Sequence, residues 1–400
     1  MINRLKIPFF CVLSLLFFAW CGAKLFKYFT YHQPPIVTLK GIDDGGFYAR
    51  QTPCELIANN DYKISTVNVT LDGTQLLSNK VKARQFNVPF SIDTTTLPDG
   101  QHTLEVYAVD SSYHSNNATT SYRFIVDNAP LRATFLDSDY TVDQGKTLHM
   151  KLQANKKLAH AEVKLFATTY SFYPGSPDST LYECFIPVDA EERPFEQIIT
   201  TDIEDPVKNK LSLHANVQVK AFEFKKQKGF NVNADKWAQE KESGIDSKVL
   251  KEAMQKWLQE SPKHKLWNGP FEYPIEVQRM TTPFGEIRMT PERGRYMHKG
   301  IDLINHPKCV TWAAQHGKVI IKDRFVISGN TVVLDHGLGV FTLYAHLEDF
   351  ADINVGETIK KGSPLGRVGK TGYASGYHLH WELLVNNVSV DPLEWLSKVY

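Results

Sequence analysis

The chain has 400 residues, more than one ordinary core accommodates, so about three domains are expected. Hydrophobic residues make up 42% and charged residues 22%, which fits globular domains and excludes a largely disordered chain. The 45 basic and 44 acidic residues leave a net charge of +1 with no long basic run, so no nucleic-acid surface is expected.

The first element is an apolar run over residues 7–23, behind Arg4 and Lys6. It has the charged and apolar regions of an export signal. It is also close to the shortest run that spans a bilayer as a helix, roughly 17–25 residues. Arg4 and Lys6 place their end in the cytoplasm, although Lys24 and Lys27 weaken the asymmetry. No clean small-residue cleavage pattern follows, and Trp20 before Cys21 spoils a lipoprotein signal. An uncleaved single-pass anchor over residues 1–29 is therefore preferred to a cleaved signal peptide. On either reading the bulk of the chain is periplasmic or extracellular. Cys54, Cys184 and Cys309 then face an oxidising compartment, where three thiols form at most one disulfide.

Residues 34–128 read as short strands with turns between them. Val67-x-Val69-x-Leu71 and Leu104-x-Val106-x-Ala108 alternate with period two, and Leu97-Pro-Asp-Gly100 is a turn. Residues 129–232 repeat the order. Ala161-x-Val163-x-Leu165 echoes Val67-x-Val69-x-Leu71, Pro194-Phe195 echoes Pro89-Phe90, and Val217-x-Val219-x-Ala221 echoes Leu104-x-Val106-x-Ala108. Two tandem β-sandwiches follow from this preserved order. Leu71-Asp-Gly73, the run from Asp93 to Leu104, and Phe124-x-Val126-Asp127 make the first module similar to bacterial immunoglobulin-like domains. A spacer role is preferred for it over adhesion, because fold alone does not give function.

Residues 233–266 switch period. Val249, Leu250, Ala253, Met254, Trp257 and Leu258 share one helical face, with Asp246 or Ser247 as cap and Ser261-Pro262 as stop. A helical connector whose apolar stripe packs on a neighbouring domain is expected.

The C-terminal region, residues 267–400, holds seven of the 14 histidines between positions 298 and 380. His378-Leu-His380-Trp-Glu382 lies in a strand, so His378 and His380 leave one face about 7 Å apart. That spacing suits one metal ligand and one neighbouring acid–base group. His298 and Asp302 would stand about 13 Å apart in an extended strand, unless Gly300 permits a bend. Two imidazoles and a carboxylate suit zinc, and three protein ligands leave a fourth position open, as catalytic rather than structural sites do. His346, in Tyr344-Ala-His-Leu347, is the remaining candidate for proton transfer. His306, His316 and His336 read as surface or loop residues.

The ordered segments Pro283-Phe-Gly285, His298-Lys-Gly-Ile-Asp302, Val333-Leu-Asp-His-Gly337, Tyr344-Ala-His-Leu347, Val355-Gly-Glu-Thr-Ile-Lys-Lys-Gly362, His378-Leu-His380 and Asp391-Pro392 closely resemble the lysostaphin-type (LytM-like) zinc endopeptidases. The resemblance implies one zinc ion held by His298, Asp302 and His380, with His346 and His378 assisting catalysis. It implies peptidoglycan as substrate, cleaved in its peptide stems or cross-bridges. No His-Glu-x-x-His helix is present to supply a glutamate base, which agrees with histidine in that role. The whole chain then reads as mainly β: a membrane helix, two sandwiches, a helical connector and a β-rich LytM-like peptidase domain. Alternatives are a catalytically silent activator of another wall hydrolase, a wall-binding adhesin, and a biotinyl-type carrier suggested by the turn at residues 355–362.

Overall fold

The computed structural model describes residues 9–227, 244–290 and 294–400. The chain is mainly β, with one apolar helix near its N-terminus, and it divides into two compact units. One runs to Pro130 and includes Pro206–Asn209; the other comprises Leu131–Asp205 and Lys210–Tyr400.

In the first unit the helix Phe9–Thr30 carries the apolar run. Its window Val12–Thr30 is long and apolar enough to cross a membrane. Arg4 and Lys6, which set the expected orientation, lie outside the described residues. The end of the helix is fastened to the sandwich that follows. Tyr113 N–H donates to the Tyr28 carbonyl at 3.1 Å, Lys27 Nζ donates to the Asp61 carbonyl at 3.0 Å, and Tyr28, Phe29 and Tyr113 pack ring on ring. The sandwich pairs a three-stranded sheet (Ile36–Lys40, Gln51–Asn59, Gln85–Asp93) with a five-stranded one. Leu56 from the first sheet and Val67, Val106 and Phe124 from the second share one buried cluster, as alternating strands dictate.

The second unit opens with another sandwich. Its five-stranded sheet runs Asp139–Asp143, Lys210–Lys220, Phe195–Glu204, His160–Leu165, Thr168–Ser171. The first sandwich has the same order in Phe47–Tyr48, Asn117–Val126, Gly100–Asp110, Ile64–Leu71, Thr74–Lys80, including the parallel pairing of its short edge strand. Position in this order corrects two of the sequence echoes. Val217 and Val219 lie in the strand equivalent to Asn117–Val126, not to the one holding Leu104 and Val106. Phe195 opens the strand equivalent to Gly100–Asp110, whereas Phe90 belongs to the opposite sheet. Short alternating motifs recur in every strand of a sandwich, so similarity alone does not identify partners. Cys54, Cys184 and Cys309 are free thiols, and burial pushes the Cys54 thiol up to about 11 and that of Cys184 further.

The helix Gly244–Glu260 starts two residues before the expected cap; residues 228–243 lie outside the described part. Met254, flanked by Leu250, Ala253, Trp257 and Leu258, packs on Ile320, Val333, Phe341, Leu343 and Leu384. These belong to the ten-stranded sheet of the C-terminal region, whose opposite face holds Leu303, Val332, Tyr344 and Trp381 in the largest core. The helix therefore caps one face of the sheet that carries the histidines.

Candidate metal centre

Three strands of the large sheet build the site. Asp302, in Ile301–Ile304, is the direct antiparallel partner of His380, in Leu379–Val385, and His380 is in turn opposite Ala345. Directly paired side chains leave one face only about 5 Å apart, so the ladder itself brings the carboxylate to the imidazole. His298 arrives differently. It follows the separate hairpin Ile287–Thr290/Gly294–Met297, and the chain turns back into the sheet within four residues. Gly300 permits this by close approach: a Cβ there would stand 2.4 Å from the Trp381 carbonyl oxygen.

The result is a tight triangle of donor atoms. His298 Nε2 lies 3.1 Å from Asp302 Oδ1 and 3.0 Å from His380 Nδ1, and His380 Nδ1 lies 2.9 Å from Asp302 Oδ1. Tetrahedral zinc with N and O ligands near 2.0–2.1 Å sets edges of about 3.3 Å. A spread of a few tenths of an ångström would admit the ion, and the N,N,O donor set suits it, so these residues fit the metal.

The outer nitrogen of each histidine is held. His298 Nδ1–H donates to the Pro283 carbonyl at 3.2 Å, which turns Nε2 inward. His380 Nε2–H donates to Glu382 Oε1 at 2.9 Å, and Ser389 Oγ donates to Glu382 Oε2 at 3.1 Å. Such outer carboxylates fix the ring and its tautomer. Glu382 was missed in the sequence, although a signal existed: His378, His380 and Glu382 are i, i+2 and i+4 on one strand face.

The electrostatics follow from this packing. Burial works to raise the Asp302 carboxyl, but hydrogen bonds from His298 and His380 overcome it and hold the group far below the usual carboxylate range. Burial alone would lower His380, yet hydrogen bonds to Asp302 and Glu382 push it up to about 10. A cation in the triangle would take the place of that proton.

His346 and His378 stand beside the triangle, their rings 4.8 Å apart. His346 sits at a bulge with φ of 61°, uncommon for a residue with a side chain, and its Nδ1–H donates to the Thr371 carbonyl at 2.9 Å. His378 Nδ1–H donates to the Gly376 carbonyl, and its Nε2 lies 3.8 Å from Asp302 Oδ1, facing the donors without joining them. Burial and the neighbouring histidines lower His346 to about 3, and burial lowers His378. Both rings are therefore neutral near pH 7, each with one nitrogen committed as donor. His306 and His316 are exposed, but His336 is a correction: it is fully buried, bridging the His316 carbonyl and Thr342 Oγ1.

Residues 296–392 match Peptidase family M23. The C-terminal region therefore carries a peptidase M23 domain. The peptidoglycan DD-endopeptidase ShyC of Vibrio cholerae is 32% identical over 120 residues, which are 30% of this chain and 28% of that protein. The DD-carboxypeptidase/endopeptidase Mpg of Neisseria meningitidis is 36% identical over 121 residues, 30% of this chain and 27% of that protein. The chain thus spans less than a third of the length of these relatives. A crystal structure of a zinc-containing peptidase from Vibrio cholerae aligns with 74% of this chain and 81% of its own, at TM-score 0.31 and 15% identity.

Proposed function

We propose that this chain is a zinc-dependent endopeptidase of peptidoglycan, cutting the D,D bond of peptide cross-links from a membrane-anchored position facing the wall. The observation that carries the reading is the donor triangle of His298, Asp302 and His380 with the imidazoles of His346 and His378 beside it, inside an M23 domain. The two relatives above are named for DD-endopeptidase activity, which supports the choice of bond.

His298 Nε2, Asp302 Oδ1 and His380 Nδ1 would hold the ion. Zinc at such a site supplies Lewis acidity, polarising a carbonyl and lowering the pKa of a water from 15.7 towards about 7. The remaining work falls to the protein. His378 Nε2 faces the donors and accepts a proton from the attacking water. His346, its Nδ1–H tied to Thr371 and its Nε2 unprotonated, shares this acceptor role, and the imidazole that takes the water's proton returns it to the departing amine. Both rings are oriented by backbone carbonyls, so neither has to be ordered when substrate arrives.

The anchor reading rests on the first unit. An exported signal is released when cleaved, but this helix ends in contacts with the sandwich through Tyr28, Phe29 and Tyr113. The intact mass of the protein recovered from the membrane fraction tests it: loss of the first two to three dozen residues refutes the anchor. For the activity, zinc-loaded protein should convert purified cross-linked muropeptide dimers to monomers, identified by mass spectrometry. A glycine-bridge product would refute the bond, and no product from any muropeptide would refute the activity.

A further inference from the structure

The spacer role expected for the first sandwich does not extend to the second, which packs on the C-terminal region. Asp302 and His380 are locked by a strand ladder, but His298 hangs from a two-stranded hairpin that is not part of the large sheet. A lone hairpin is marginally stable in water. Something must set its position to a few tenths of an ångström if His298 is to complete the triangle.

The contacts trace back to the second sandwich. His298 is tied to the turn at 283–286 three times: Gly285 N–H donates to the His298 carbonyl at 2.8 Å, His298 N–H to the Glu286 carbonyl at 3.0 Å, and His298 Nδ1–H to the Pro283 carbonyl at 3.2 Å. That turn is pinned by aromatic packing. The Phe224 ring, just past the last sandwich strand, lies over Gly285, where a Cβ would stand 2.1 Å from it. Phe284 lies over Gly145, a sandwich turn residue with φ of 77°, where a Cβ would stand 2.6 Å from that ring. Residues 225–227 then meet the hairpin at one parallel bridge, Lys226 against Ile287: Ile287 N–H donates to the Lys225 carbonyl at 2.8 Å and Gln227 N–H to the Ile287 carbonyl at 2.9 Å. Arg295 of the hairpin pairs with Glu191 of the sandwich.

The sandwich turn is itself fastened to the other side of the M23 domain. Asp391 N–H donates to the Gly145 carbonyl at 2.7 Å, Lys146 Nζ to Asp391 Oδ2 at 2.5 Å, Thr147 N–H to Glu394 Oε2 at 2.8 Å, and Trp395 Nε1–H to Thr147 Oγ1 at 3.1 Å. The sandwich therefore braces the hairpin against the rest of the domain.

We propose that the second sandwich is a platform that positions His298 for the metal, with Phe224 and Phe284 as the positioning residues. This rests on the metal reading above, so the test has one arm that involves zinc and one that does not. In full-length protein, Phe224→Ala should speed amide hydrogen exchange of residues 287–297 and weaken zinc binding by roughly 10–100-fold in competition with a chromophoric chelator. Phe224→Leu, which keeps an apolar body over Gly285, should restore most of both. Ile203→Ala, in the sandwich core away from the hairpin, should lower the unfolding temperature without moving either. Unchanged hairpin exchange in Phe224→Ala would overturn the platform. So would a loss of zinc affinity in Ile203→Ala equal to that in Phe224→Ala. Loosened exchange in a protein whose wild type binds no zinc would sink the metal reading and leave the platform standing.

Discussion

Glu382→Gln isolates the role of the carboxylate behind His380. The substitution keeps the size of the side chain and removes its charge. In the native site Glu382 Oε1 accepts from His380 Nε2 at 2.9 Å, partly buried, with Ser389 holding the other oxygen. A hydrogen bond to a charged group contributes about 1.5–3 kcal/mol, and a neutral one about 0.5–1.5. The difference, about 1–2 kcal/mol, converts to a zinc affinity roughly 5- to 30-fold weaker. Loss of an outer partner of a metal-bound histidine typically costs about 10–100-fold, which overlaps this range. The assay is equilibrium competition for zinc at neutral pH, with the unfolding midpoint measured alongside. Glu382→Asp, too short to keep the 2.9 Å contact without a shift, should fall between. Wild-type zinc affinity in Glu382→Gln would refute the reasoning and reduce Glu382 to a packing residue.

The five site residues should separate cleanly by metal content. His298→Ala, Asp302→Ala and His380→Ala should lose zinc and activity together, whereas His346→Ala and His378→Ala should keep zinc and lose about 10²–10⁴-fold in kcat; zinc released by His378→Ala would contradict the division. Met254, 5% exposed between its helix and the large sheet, should cost roughly 2–3 kcal/mol in urea unfolding when cut to Ala, with zinc affinity unmoved. Acid should loosen the second unit through Glu183. Burial would raise this carboxyl, but His149 and Lys265 hold it at about 2 against an ordinary 4.5. A depressed carboxylate stabilises fully above its unfolded pKa, so on the order of 2–3 kcal/mol should be lost as pH falls from about 4.5 to about 2. Glu183→Gln should flatten that part of the pH–stability curve.

Period two made His378 and His380 legible as neighbours on one strand face, and the same rule would have delivered Glu382 had it been carried two residues further. The apolar stripe of residues 249–258 likewise announced a helix with a covered face, because helical spacing is local information. The distance between His298 and Asp302 was not legible. An extended strand keeps them far apart, and only the register of Ile301–Ile304 against Leu379–Val385, with Gly300 tucked under the Trp381 carbonyl, brings the donors to 3.1 Å. Register between strands this distant in the chain depends on the whole sheet. The buried state of His336 escaped for the same reason, since its partners are the His316 carbonyl, in the bend before Gly317–Phe325, and Thr342 in Val340–Phe350.

The echoes between the sandwiches show the converse limit. Alternating Val, Ile and Ala recur in every half-buried strand, so the pattern identifies strands and is silent about which strand is equivalent to which. The contact most relevant to the site is the least visible of all. Gly145 reads as an ordinary turn glycine, and φ of 77° would satisfy that reading. Its missing side chain also admits Phe284, and through the turn at 283–286 that space is linked to the His298 ring, whose Nε2 faces Asp302 and His380. A glycine required twice, once by its own backbone and once by a ring from a distant part of the chain, carries only one of those requirements in its local sequence.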